Sequence, residues 1–273
     1  MAVMPGLEAV RQLWDPLFLL VPVYMVGVYV LRQMYPPLSR EQHAANRAKQ
    51  PKKKPFFEVM LAYNALMSVF SLACFLGMSW VVIVRQNMVI KGPDCMRYAR
   101  DPLFRLIVDA FHYSKYIEFA DTFFLIMQRK DVSWLHFFHH CGACINVGIL
   151  ARSGIEAAFL FVTLNGFVHT IMYAYYGLAL VGIRFKAKSL ITIMQIVQFF
   201  TGFGSFYTYK NIPCFGSSQA LMGVYVYTYS YVGVVLLFFV NFFIQNYCKG
   251  KKAKNASNGK HTYGREEAVK KLD

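Results

Sequence analysis

Hydrophobic residues in this chain run in long stretches instead of alternating or marking a single helical face. Runs long enough to cross a bilayer, roughly 17 to 25 residues, lie at about 15–35, 57–84, 103–127, 134–150, 155–181, 189–209 and 219–247. The pattern predicts an all-α integral membrane protein: one domain over 1–247 with seven transmembrane helices, and a basic tail over 248–273. Pro36-Pro37, Pro51 to Pro55, Gly92-Pro93, Pro102 and Pro213 to Ser218 punctuate the runs, where helices do not readily continue. The connections between them are too short or too charged for a second folded domain. The first run follows Trp14-Asp15-Pro16 without a basic leader or a small-residue cleavage site, so it reads as a retained span and not a signal peptide.

Composition agrees. Hydrophobic residues make up 56% of the 273 positions and Asp, Glu, Lys and Arg only 16%, against about 25% charged in an average soluble domain. That excludes a soluble globular enzyme. The 29 Lys and Arg against 14 Asp and Glu give a net charge of +15, which admits nucleic acid, anionic lipid or a polyanionic substrate. The aromatics sit inside apolar runs and are not interleaved with Lys and Arg, which argues against a nucleic-acid groove. With the amino terminus luminal and the carboxyl terminus cytosolic, 19 basic residues fall on the cytosolic side and seven on the other, as the positive-inside bias requires. The chain ends Lys270-Lys271-Leu272-Asp273, a dilysine pattern that fits retention in the endoplasmic reticulum membrane. Asn255-Ala256-Ser257 is a glycosylation sequon that a cytosolic tail would leave unmodified.

Ionisable groups inside a span cost about 2.5 to 3.5 kcal/mol each and need a partner or a task. The third run carries Arg105, Asp109, His112, Lys115, Glu118, Asp121 and Thr122 at three- and four-residue steps, roughly one helical face. The fourth opens with His136, His139 and His140, whose spacing places three imidazoles toward a common point. The fifth aligns Asn165, His169 and Tyr173, and the sixth Thr192, Gln195 and Gln198. Each cluster alone is explained by interhelical hydrogen bonding. Four together predict one buried polar chamber in the cytosolic half, closed by apolar walls.

Three nearby His can be metal ligands, acid–base groups or nucleophiles. Membrane di-iron oxygenases use His boxes totalling about eight His, whereas this chain has seven, with His43 in a loop and His261 in the tail. A dinuclear centre of that kind cannot be completed, and a single metal ion stays open on count alone. A metal-dependent lipid hydroxylase or desaturase and a seven-helix transporter therefore remain as alternatives. Cys141 and Cys144, beside the His box, read as packing residues.

Four motifs stand in order: Lys115-x-x-Glu118-x-x-Asp121-Thr122, His136-x-x-His139-His140, His169-x-x-Met172-Tyr173-x-Tyr175-Tyr176 and Thr192-x-x-Gln195-x-x-Gln198. On these residues the chain resembles the ELO elongases, which condense malonyl-CoA with a fatty acyl-CoA in the endoplasmic reticulum. Gln195-Ile196-Val197-Gln198 and Phe137-Phe138 are closer to the branch handling saturated and monounsaturated chains. The resemblance implies seven helices, six of them forming a barrel of two inverted three-helix units around a narrow acyl tunnel, with CoA at the cytosolic mouth. It implies no metal or redox cofactor. Acyl-CoA and malonyl-CoA are then the substrates, membrane lipid is the surroundings, and the ketoreductase, dehydratase and enoyl reductase of the cycle are partners. A homodimer is left open.

By resemblance, His139 is the nucleophile that forms an acyl-imidazole, and His169 stands across the reacting carbonyl. His136 and His140 orient the reacting ring, while Asn165, Gln195 and Tyr173 are donors to an oxyanion or enolate. Lys115, Glu118, Asp121, Tyr176 and Gln198 complete the substrate-binding set. Arg184, Lys186, Lys188 and Lys52 to Lys54 suit CoA phosphates, but the positive-inside bias explains them equally well.

Cys95 and Cys214 fall in loops on the luminal side, where the environment is oxidising. A disulfide between them is expected. Non-reducing peptide mapping of mature protein should recover the 95–214 linked peptide, and two free thiols would refute both the pairing and the assigned sides.

Overall fold

The computed structural model describes residues 13–49, 56–91, 94, 96–183 and 188–249, and every regular element among them is helical. A 3-10 turn, Pro16–Leu19, leads into α1 (Leu20–Met34). A short α2 (Arg40–Lys49) follows, then α3 (Phe57–Trp80), which runs on as a π-turn to Arg85. Helices α4 (Pro102–Ile117) and α5 (Phe119–Met127) meet at Glu118. Then come α6 (Trp134–Ser153), α7 (Ala158–Leu180), α8 (Lys188–Tyr207), the one-turn α9 (Pro213–Ser217) and α10 (Gln219–Phe243), which a π-turn extends. Cys95, the side chain of Cys214, Arg184, Lys186, Lys52 to Lys54, Lys270 and Lys271 lie outside the described residues.

Helix starts follow local chemistry. Asp15 accepts from the Leu17 amide at 2.9 Å, and Asp101 from Leu103 at 2.9 Å, each just before a proline in the first turn. Ser133 caps α6 through the His136 amide at 3.2 Å, and Gly154, with φ of 67°, ends it in the left-handed conformation. The flanking prolines predict a loop where helix α2 stands. Ser39 and Gln42 instead form a reciprocal capping box, with the Ser39 amide on Gln42 Oε1 at 2.8 Å and the Gln42 amide on Ser39 Oγ at 3.2 Å. His43 consequently sits on a helix, its Nε2 3.2 Å from the Arg129 carbonyl.

Five stretches are long and apolar enough to cross a membrane: Pro16–Met34, Phe57–Arg85, Ala158–Leu180, Lys188–Asn211 and Gln219–Tyr247. The remaining two runs read from the sequence, 103–127 and 134–150, are helical as well. The first is divided at Glu118 and carries the charged stripe, and the second carries the three His. Large apolar side chains such as Val23, Val26, Tyr29, Leu66 and Val69 are exposed on α1 and α3, as lipid-facing surfaces require.

Successive connections alternate between two ends of the bundle. At one end Arg85 pairs with Asp101 at 2.6 Å, while the buried Glu156 carboxylate takes the Lys91 amide at 2.5 Å and the Tyr209 hydroxyl at 3.2 Å. Burial by itself raises the Asp101 carboxyl, but hydrogen bonds from Arg85 and the Leu103 amide outweigh it and hold the group below its ordinary value. Tyr98, Phe104, Leu150, Ile155, Phe206, Tyr209 and Phe215 form a packed core beneath these loops. At the other end Arg32 meets Asp131 at 2.6 Å, and the Leu38 amide reaches the Arg129 carbonyl at 2.9 Å.

Helices α3 and α7 form the most extensive pair and run antiparallel, with Ser68 Oγ on the Thr170 carbonyl at 2.9 Å. Gly166 permits the approach, since a Cβ there would lie 3.0 Å from the Ser71 carbonyl oxygen and 3.2 Å from the Phe75 amide nitrogen. At Gly204, by contrast, a Cβ would meet open space. Gly166→Ala should therefore lower the thermal midpoint in detergent, by roughly 1–3 kcal/mol of overpacking less the helix-propensity gain. Gly204→Ala should not. An unchanged midpoint for Gly166→Ala would refute the close contact.

Candidate active site

The helices α4 to α7 bring their polar side chains together where α4 passes into α5. Lys115 Nζ donates to Glu118 Oε1 at 2.6 Å and to Asn165 Oδ1 at 2.9 Å, and lies 4.1 Å from the centre of the Phe111 ring. His169 Nδ1 is 3.5 Å from the same Glu118 oxygen. Lys115 and Glu118 are only 4% and 2% exposed, so neither charge has water to fall back on. A buried ion pair persists only where the geometry is close and other groups satisfy what remains. Asn165 on α7 does that for the lysine, while His169, on the same helix, stands beside Glu118 with no hydrogen bond at Nδ1.

A second chain of contacts ties α1 to this cluster. Tyr24 hydroxyl and His136 Nε2 each lie 2.8 Å from Thr122 Oγ1. Asp121 Oδ2 accepts from the Tyr173 hydroxyl at 2.7 Å, and the Tyr173 ring packs edge-on against His169 and Tyr63. Sequence spacing alone gave no reason to place Tyr24 or Tyr63 here, because a tyrosine in an apolar run carries no distinguishing pattern.

The three imidazoles of α6 do not converge. His136 and His140 lie against each other with ring centres 4.2 Å apart, and His136 is turned to Thr122. His139 stands apart, 5.7 Å from His140, flanked edge-on by Phe199 and Phe239. Side chains at i, i+3 and i+4 share a broad face, yet neighbours 139 and 140 diverge by one residue's rotation, and each then takes the partner on its own side. Among the described residues no three His, Cys, Asp or Glu side chains are grouped as a metal site.

His139 lines a cavity of about 60 Å³ together with Lys115, Asn165, Gln198, Asn146 and Tyr231. Its other walls, among them Ala143, Val147, Phe161, Leu164, Gly202 and Val232, are apolar. Gln198 Oε1 and Asn146 Oδ1 are buried without a hydrogen-bond partner. Gln195 Nε2 contacts Met172 Sδ at 3.6 Å across α7 and α8. Thr192 bonds back to the Lys188 carbonyl of its own helix at 3.1 Å. Tyr176 is not brought in: it is 45% exposed and makes none of the cluster's hydrogen bonds. Cys141 and Cys144 are free thiols, Cys144 fully buried.

The fold and site define a helical membrane protein with a buried, charge-paired chamber opening onto an apolar cavity. The chain matches the ELO family model, described as the GNS1/SUR4 family, over residues 9–255, and it belongs to that family. It is 28% identical over 242 residues to "Fatty acid elongase 4" of Trypanosoma brucei brucei, an alignment covering 87% of this chain and 86% of that protein. It is 27% identical over 214 residues to "Very long chain fatty acid elongase 2" of Rattus norvegicus, covering 74% and 73%. It is 33% identical over 170 residues to "Very long chain fatty acid elongase 4" of Macaca mulatta, covering 58% and 52%. Alignments with relatives from Schizosaccharomyces pombe and Caenorhabditis elegans span 44% and 53% of those proteins. These relatives are named as fatty acid elongases.

Lys115→Met should leave the Glu118 charge without its cation and destabilise the protein by about 3–5 kcal/mol. Lys115→Met/Glu118→Gln should recover most of that stability and none of the activity. A thermal series in which the double variant is no more stable than the single would refute the pairing.

Proposed function

We propose that this protein is a 3-ketoacyl-CoA synthase of fatty acid elongation, condensing malonyl-CoA with a fatty acyl-CoA through an acyl-imidazole on His139. The observation that carries the reading is the placement of His139: an imidazole at the polar end of a narrow cavity whose remaining length is apolar. A thioester carbonyl held there lies beside Lys115 and Asn165, and the first carbons of its acyl chain enter between Val147, Phe161, Gly202 and Val232.

In the first half-reaction the His139 lone pair attacks the thioester carbon. The C–S bond breaks, CoA leaves as the thiolate, and the acyl group remains on the ring as an acyl-imidazolium. In the second, malonyl-CoA loses CO2 to give an enolate, whose carbon attacks the acyl carbon, forming the C–C bond and freeing His139. Because Asn165 Oδ1 is engaged by Lys115, its amide nitrogen is left to donate to an oxyanion. The Tyr173 hydroxyl already donates to Asp121, so its contribution is to hold that carboxylate. His169, set against Glu118, serves the malonyl half. No cofactor enters these steps.

The finer architecture belongs to the same reading. Counting α4 with α5 and α6 as spans gives seven, and a barrel of two inverted three-helix units is consistent with the antiparallel α3–α7 pair. The positive-inside bias and the terminal lysines favour the endoplasmic reticulum membrane with a luminal amino terminus. Saturated and monounsaturated acyl-CoAs are the proposed substrates, with reduction and dehydration left to separate enzymes of the cycle.

The test is the order of events. Purified protein should release free CoA from acyl-CoA before malonyl-CoA is added, and its intact mass should rise by one acyl group. His139→Ala should abolish both signals and elongation while keeping the fold. His169→Ala should retain part of the CoA release and lose condensation. An adduct on Cys141 or Cys144, or release that requires both substrates together, would overturn the assignment.

A further inference from the structure

Helix α10 carries none of the four motifs, yet one of its side chains is the only hydrogen-bonding partner of the His139 ring among the described residues. The Tyr231 hydroxyl lies 3.0 Å from the His139 carbonyl oxygen, to which it donates, and 3.4 Å from His139 Nδ1. A tyrosine has a single hydroxyl proton. With that proton on the shorter bond to the carbonyl, which can only accept, the hydroxyl faces Nδ1 with a lone pair. A hydrogen bond between Nδ1 and that lone pair requires the proton on Nδ1, which leaves the ring's own lone pair on Nε2.

The approach is built into the packing. The Tyr231 ring rests on Gly142, where any Cβ would overlap it, so α6 is notched one turn beyond Phe138 to admit the ring. Phe138 lies alongside at 6.0 Å, and Tyr231 lines the same cavity as His139. The other faces of the imidazole meet Phe199 and Phe239, which offer it no hydrogen bond.

We propose that Tyr231, seated in the Gly142 notch, is a positioning residue that fixes His139 as the Nδ1–H tautomer and so makes Nε2 the attacking nitrogen. In a proton-neutral imidazole both tautomers are otherwise accessible, and only one presents its lone pair to a thioester in the cavity. The catalytic consequence rests on the reading of His139 as nucleophile, whereas the tautomer itself does not.

Tyr231→Phe keeps the ring in its notch and removes only the hydroxyl. In protein carrying 15N-labelled histidine, the His139 signals should change from those of a single Nδ1–H tautomer to those of an exchanging mixture. CoA release from acyl-CoA alone should slow roughly tenfold, the scale of one lost hydrogen bond, with KM for acyl-CoA little changed. Gly142→Ala, which evicts the ring, should reproduce the same spectral change, and adding Tyr231→Phe to it should cost nothing further. A single Nδ1–H tautomer persisting in Tyr231→Phe, or additive losses in the double variant, would overturn the proposal. If the tautomer shifts while CoA release keeps its wild-type rate, positioning stands and it is the nucleophile assignment that fails.

Discussion

The site depends on a lysine and a glutamate that have been taken out of water together. Lys115 and Glu118 sit one turn apart at the junction of α4 and α5, and neither charge is tolerable there without the other. Lys115 reaches across to Asn165 on α7, and His169 of the same helix stands beside Glu118. The Lys115–Asn165 bond fixes α7 against the α4–α5 junction more specifically than apolar contact could, because apolar faces slide and a buried charged hydrogen bond does not. Asp121 and Thr122, a turn further on, then engage Tyr173 on α7, His136 on α6 and Tyr24 on α1.

With three helices registered by polar contacts, packing decides the rest. Gly166 lets α3 close on α7 at backbone distance, and Gly142 lets α10 close on α6 through Tyr231. The loops at one end are knit by Glu156, Tyr209 and the Arg85–Asp101 pair. His139 lines one small cavity with polar groups, Lys115, Asn165, Asn146 and Gln198, and with apolar ones, Val147, Phe161, Gly202 and Val232.

Much of this was legible in the chain because ionisable residues in apolar helices have few reasons to be there. Lys115, Glu118, Asp121, His139, Asn165 and His169 announce themselves by residue type and spacing, and the structure gathers them. Tyr24 and Tyr231 do not: each is one tyrosine among several in an apolar run, and only the register between helices makes it a partner. Spacing also misjudged direction. It pointed His136, His139 and His140 at one spot, whereas neighbouring helices offered Thr122 to one ring and Tyr231 to another. The same limit applies to Tyr176, whose motif position suits the chamber and whose side chain stays 45% exposed. Helix α2 went unseen because flanking prolines outweighed a four-residue capping box.

The central claim is that the buried Lys115–Glu118 cluster exists to hold a thioester carbonyl against His139. A high-resolution cryo-electron microscopy map of the protein incubated with acyl-CoA tests it most directly. The account predicts continuous density from His139 Nε2 into an acyl chain between Val147, Phe161 and Gly202, with the carbonyl oxygen beside the Asn165 amide. Acyl density outside that cavity, or joined to any other side chain, would contradict it.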